Sequence, residues 1–279
     1  MTWRVSKDKG YSLDARTSAL VSLSDFELRI WGFCPGAPGT MRKGAHHGMT
    51  GLLEQKYLLL LVALLLTALM EPLVTHWSER TRVFTGVLLF GVNLGVLLVV
   101  FDQRWQRWLA FILVIPAFAS NIVHETLSDW ASFAAIAYHC FAFLFLGFAV
   151  AAILIRIFHQ GIIRIDAVIG ALCGYVLAAA AWGNAYALIY LFRPEAFRIA
   201  DVVAPQLSDW SLQRFFFTYF SVSTLTSLGY SDITPIDTLA LSLSWIEVIF
   251  GQFYIAVVVA QLVGLKLAES IRRGSGDSN

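Results

Sequence analysis

Six apolar stretches govern what this chain can fold into. A helix rises 1.5 Å per residue, so about twenty consecutive apolar residues carry it across the hydrocarbon layer of a bilayer. The stretches run over 57–75, 83–101, 108–122, 130–155, 165–191 and 239–267, the third being short and interrupted by Pro116. In a chain of 279 residues with 58% hydrophobic and 14% charged side chains, one soluble core has no room for so much apolar surface. The expected class is therefore an integral, all-α membrane protein with six transmembrane helices.

Basic residues set the expected orientation. Arg42, Lys43 and Lys56 precede the first stretch, Arg104 and Arg107 join the second to the third, Arg156 and Arg164 join the fourth to the fifth, and Lys266, Arg272 and Arg273 follow the last. If the spans alternate, all of these lie on one side, and the positive-inside rule makes that side the cytoplasm, with both termini there. Glu125 and Asp129 mark the opposite side, although Arg80 and Arg82 also fall on it. A voltage sensor needs several basic residues spaced along one helix. The fourth stretch offers only Arg156 at its edge, so no voltage-sensing helix is expected.

The predicted organisation has four parts. Residues 1–50 are polar and broken by Cys34-Pro35-Gly36-Ala37-Pro38-Gly39, reading as a disordered tail or a mis-assigned start, with Met41 and Met49 as other starts. A four-helix region over 51–160 lacks an arginine-rich sensor. A third region covers 161–268, and 269–279 form a short cytoplasmic tail. No Lys/Arg cluster points to nucleic acid, and membrane lipid is the expected surrounding partner.

Within 161–268, residues 193–208 read as an irregular turret held by Pro194 and Pro205. The apolar stretch 215–225 is too short to cross, and Ser208 or Ser211 is placed to cap it. Irregular backbone follows it at membrane depth, which is tolerable only when buried in protein or lining a water-filled path.

The run Tyr219-Phe220-Ser221-Val222-Ser223-Thr224-Leu225-Thr226-Ser227-Leu228-Gly229-Tyr230-Ser231-Asp232 resembles the pore helix and filter of the potassium-channel pore-loop family, whose pattern is T-x-T-T-V-G-Y-G-D. The resemblance implies a pore helix and filter loop between the fifth and sixth transmembrane helices. Backbone carbonyls there replace the hydration shell of a permeant ion. On that reading Thr226, Ser227, Leu228, Gly229, Tyr230 and Ser231 bind the ion. Tyr219 meets Asp232 behind the filter as a brace. One filter strand per chain implies a homotetramer, the economical closed arrangement being four-fold. The expected activity is passive potassium conduction, with no catalytic residue, no cofactor beyond the permeant ion, and no soluble substrate.

Three positions depart from the family pattern. Ser227 keeps a hydroxyl where Thr is usual, and Leu228 keeps bulk without a β-branch. Ser231 stands at the second glycine, where a left-handed backbone costs a non-glycine residue about 1–2 kcal/mol. A weakly selective cation channel, or a non-conducting relative, is thus the alternative.

The last stretch adds a second resemblance. Glu247-Val248-Ile249-Phe250-Gly251-Gln252-Phe253-Tyr254-Ile255-Ala256 is similar to the inner helix of small bacterial relatives, which implies a bacterial inner membrane and makes Gly251 the gating hinge. Gln252, Ile255, Val259 and Val263 share one helical face and are expected to line the inner cavity. Glu247 is an acid in an apolar helix and requires partners. Ser221, Ser223 and Thr224 are the candidate donors behind the filter.

Other chemistry is thinly represented. Cys34, Cys140 and Cys173 are too scattered for a metal site. His76, His124, His139 and His159 raise a membrane haem protein as a remote alternative, but only His139 lies well inside a stretch.

Overall fold

The computed structural model describes residues 47–74, 79–159, 165–230 and 232–276. Of the predicted tail 1–50, the part up to residue 46 lies outside the described residues, as does the departure at Ser231, while 47–50 belong to the first helix. The chain forms helices α1 (His47–Val74), α2 (Glu79–Val100), α3 (Arg104–Thr126), α4 (Ala131–His159), α5 (Ile165–Phe192), α6 (Trp210–Leu225) and α7 (Thr238–Gly276). Arg104–Thr126, Ala131–Ile157, Val168–Phe192 and Thr238–Gln261 are long and apolar enough to cross a membrane, while Lys56–Met70 and Gly86–Val100 are shorter apolar helical segments. The helix around 108–122 is longer than its apolar run, because it continues through Pro116 in both directions.

Apolar faces without protein cover are what a hydrocarbon solvent requires. On α3, Trp108, Ile112 and Ile115 stand exposed at helical spacing, and Leu59, Leu66 and Leu69 do so on α1. The interior of the bundle is built where α4 lies against α3 and α5. Phe101 stacks on Phe148 with ring centroids 4.8 Å apart, and Leu97, Ala149, Ile153 and Leu177 are buried around that pair. Small residues such as Ala149 and Ala178 let the helix backbones approach.

Helix α6 is wedged between α5 and α7. A Cβ on Gly183 of α5 would stand 2.8 Å from the Thr218 Cα, so only a glycine permits this crossing. A second core sits toward one end of α6, where Tyr186, Phe197, Phe217, Phe220 and Ile233 are buried together.

Two expectations are corrected. The segment 193–208 is not irregular: it holds 3-10 turns at Pro194–Ala196 and Ala204–Ser208 and a strand β1 (Phe197–Ile199). This strand pairs antiparallel with β2 (Ile233–Pro235), Phe197 facing Pro235 and Ile199 facing Ile233. The all-α expectation thus gains a small ribbon, which closes the chain beyond the loop onto the chain before α6. The cap of α6 is Asp209, not Ser208 or Ser211. Its carboxylate accepts from the Ser211 N–H at 2.9 Å and the Leu212 N–H at 3.2 Å. A negative group is favoured at the positive end of a helix dipole, while the Ser208 hydroxyl donates instead to the Pro205 carbonyl.

Candidate pore loop

Beyond Leu225 the backbone folds back along α6, and Ser223 organises the return. Its carbonyl accepts from the Leu228 N–H at 2.8 Å and the Gly229 N–H at 3.3 Å, and its hydroxyl accepts from the Tyr230 N–H at 3.0 Å. In a trans peptide the N–H and the preceding carbonyl point in opposite directions, and no cis bond occurs among the described residues. Three consecutive N–H groups turned toward α6 therefore send the carbonyls of Ser227, Leu228 and Gly229 away from it.

The dihedral angles agree with that ribbon. Ser227 has φ +59° and Gly229 φ +74°, whereas Leu228 and Tyr230 between and after them keep negative φ. Alternation of this kind keeps successive carbonyls on one side rather than on opposite sides as in an ordinary strand. Ser227 bears the cost of a left-handed non-glycine residue, about 1–2 kcal/mol, and the Gln252 side-chain amide donates to its hydroxyl at 2.9 Å. Thr226, Ser227, Leu228, Gly229 and Tyr230 are all exposed in the single chain, as are Ile255, Val259 and Val263 on the same face of α7 as Gln252.

Behind the loop, the Tyr219 hydroxyl donates to Asp232 Oδ2 at 3.3 Å, and its ring stacks on Tyr230 at 5.9 Å. The Asp232 carbonyl in turn accepts from the Ala200 N–H at 2.8 Å, tying the loop exit to the end of β1.

Glu247 is fully buried. Its carboxylate accepts from the Ser221 hydroxyl and, at 2.6 Å, from the Tyr186 hydroxyl, and so joins α5, α6 and α7. The other two expected donors are engaged elsewhere: Ser223 holds the loop, and the Thr224 hydroxyl donates to the Phe220 carbonyl at 2.9 Å. Tyr186 had no sequence signal, because a tyrosine in an apolar helix reads equally well as core or as interface.

Gly251 lies against the end of α6. A Cβ there would stand 2.2 Å from the Leu225 carbonyl oxygen, the same oxygen that accepts from the Tyr175 hydroxyl at 3.0 Å. Helix α7 is continuous through this glycine.

The histidines divide. His76 and the side chain of His159 lie outside the described residues. His124 and His139 both pack on the Trp210 ring, at centroid distances of 4.1 and 5.1 Å. Trp210 and Arg214 donate to the Asn121 amide oxygen at 3.1 and 2.9 Å, fastening α6 to α3. Neither Asn121 nor Arg214 stands in a recognisable motif, and sequence reasoning missed both.

No curated protein and no solved structure matches the chain significantly. Residues 172–265 match a protein-family model described as "Ion channel". The match begins in α5, takes in the ribbon, α6 and the loop, and ends in α7. The stretch 172–265 thus belongs to the ion-channel pore-loop family, within a chain that bears membrane-length apolar helices.

Proposed function

We propose that the protein is a passive, potassium-selective channel formed by four copies of the chain. The observation that supports this best is the one-sided row of carbonyls at Ser227, Leu228 and Gly229, generated by the three N–H groups turned toward Ser223 and α6. Four such rows around an axis present rings of oxygens that substitute for hydration water, which is how a filter admits a dehydrated ion. Thr226, Tyr230 and Ser231 complete the filter, and α6 is its pore helix. The carbonyl end of α6 contributes a partial negative charge that favours a cation.

Supporting groups follow from the same contacts. Tyr219 and Asp232 brace the outer mouth, and Glu247 fixes the helix behind the filter. Gln252 steadies Ser227 at the inner end, ahead of Ile255, Val259 and Val263 in the cavity wall. Gly251 holds α7 against α6 and is the place where α7 bends when the gate opens. The membrane part comprises six spans with α6 re-entrant, and both termini face the cytoplasm of a bacterial inner membrane. Residues 51–160 carry no voltage sensor: Arg156 is held by Tyr57, Asp102 and the Val100 carbonyl. A second reading, weakly selective cation passage, is favoured by Ser231 alone, which stands where the family pattern has its second glycine.

The test is flux from liposomes. Vesicles carrying the purified protein and loaded with potassium are diluted into sodium medium, and a protonophore is added. Potassium efflux that drives proton uptake, lost in Gly229→Val, supports the proposal. Proton uptake no greater than in empty vesicles, with the protein confirmed as a tetramer by light scattering, contradicts it.

A further inference from the structure

An open groove of about 480 Å³ runs between α1 and α2. Lys56, Leu59 and Ala63 of α1 and Val87, Gly91 and Gly95 of α2 line it, with Leu59 and Val87 largely exposed on its rim. The glycines give it depth. A Cβ added to Gly91 would meet nothing within 4 Å, and at Gly95 the nearest atom is a Leu60 methyl at 3.8 Å.

The contacts fix how the groove lies in a bilayer. Arg156 donates to the Tyr57 hydroxyl and to the Val100 carbonyl, which puts Lys56 level with the end of α2, while Leu60 meets Gly95 one turn further in. The two helices are therefore antiparallel and in register. Exposed Asp102, Arg104, Arg107 and Trp108 begin α3 at that same end, and basic residues with tryptophan mark a headgroup layer. From Val99 to Val87 the lining follows α2 for twelve residues, about 18 Å at the rise of a helix. One leaflet is half of a hydrocarbon core about 30 Å thick. The groove thus starts at the headgroups and ends near the midplane, the reach of one acyl chain.

We propose that this groove binds an anionic phospholipid, one acyl chain lying over Gly95 and Gly91 and the phosphate meeting the Lys56 ammonium. Lys56 is exposed and forms no ion pair with another described residue. An ammonium at headgroup level favours an anionic lipid by about 1 kcal/mol. A helix of a second copy laid over the same glycines would instead cover an unpaired charge with apolar surface, which is costly. The groove lies outside residues 172–265, and the inference shares with the proposed function only the placing of α1 and α2 in the bilayer.

Native mass spectrometry of the detergent-purified full chain, titrated with dioleoyl phosphatidylglycerol or dioleoyl phosphatidylcholine, tests the proposal without any current. One phosphatidylglycerol retained per chain is expected, in preference to phosphatidylcholine. Lys56→Ala should weaken phosphatidylglycerol binding about fivefold, to the level of phosphatidylcholine, while Lys56→Arg keeps it and Lys266→Ala on α7 changes nothing. Gly91→Leu fills the groove and should lower retention of both lipids; leucine is the better helix former, so the fold is not at risk. Equal binding of the two lipids, an unchanged titration in Lys56→Ala or in Gly91→Leu, or a change of oligomeric state in Gly91→Leu, which would give the groove to a second copy, would each overturn the assignment. A bilayer-partitioned carbene reagent, its adducts mapped by peptide mass spectrometry, separates the two failures. Adducts on α1 and α2 without lipid preference refute the site alone, and no adducts there refute the placing of both helices as well.

Discussion

Gly251 passes the carbonyl oxygen of Leu225 so closely that an added Cβ would stand 2.2 Å from it. Helix α7 and the end of α6 are thus in backbone contact, and the loop proposed as the filter follows directly from the end of α6, against the helix proposed to move. Gly251→Ala should push α7 away from α6 and destabilise the assembly by about 1–3 kcal/mol, the usual cost of overpacking. Gly264→Ala, on the same helix with nothing within 4 Å of an added Cβ, should be close to neutral. Thermal unfolding of both variants in detergent checks the pair, and equal melting temperatures would show that the contact is not the constraint.

Glu247 holds two hydroxyls in a buried place. Glu247→Leu leaves those of Tyr186 and Ser221 without an acceptor, at about 1–3 kcal/mol for each. Glu247→Gln keeps one acceptor oxygen and should cost less. The expected order of melting temperature is wild type, then Gln, then Leu; a Leu variant as stable as wild type would mean that the cluster contributes nothing.

Ser223 is the residue on which the loop turns. Ser223→Ala removes the acceptor for the Tyr230 N–H while leaving the backbone carbonyl that holds Leu228 and Gly229. Loss of one hydrogen bond of about 0.5–1.5 kcal/mol should loosen the outer half of the proposed filter without unfolding the helices. On the proposed function, the potassium-to-sodium permeability ratio should therefore fall while the elution volume on size-exclusion chromatography stays that of wild type. An unaltered ratio would free Ser223 of that role.

At the other end of α6, Asp209→Ala should destabilise by about 0.5–2 kcal/mol through loss of the cap, and Ser208→Ala by little. Chemical denaturation of the two variants side by side measures the difference. A larger effect at Ser208 would contradict the capping geometry.

How far the sequence discloses these arrangements depends on the range of the interaction. The apolar stretches are legible because membrane length is a local property, and Leu225 through Asp232 is legible because its small and hydroxyl residues crowd into one short run. Contact of Tyr219 with Asp232 follows from the pore-loop resemblance, and the structure puts those groups 3.3 Å apart. The pairing of Phe197–Ile199 with Ile233–Pro235 is not legible, since each strand is only three residues long and its partner lies beyond a helix and a loop. The same reason hides Tyr186 from Glu247 and Asn121 from Arg214: these side chains are far apart in the chain and meet only after the helices pack. Asp209 is a different case. It sits between two serines that cap helices about as well, and only the backbone angles, φ −82° and ψ 126° at Asp209, decide among the three.

The central claim is that the carbonyl row at Ser227, Leu228 and Gly229 selects potassium. Its most direct test is the reversal potential of the purified protein in a planar bilayer with equal potassium and sodium on opposite sides. A reversal displaced strongly toward the potassium equilibrium value is predicted, with current carried from the potassium side. A reversal near zero with clear single-channel steps would contradict it and would identify a general cation pore.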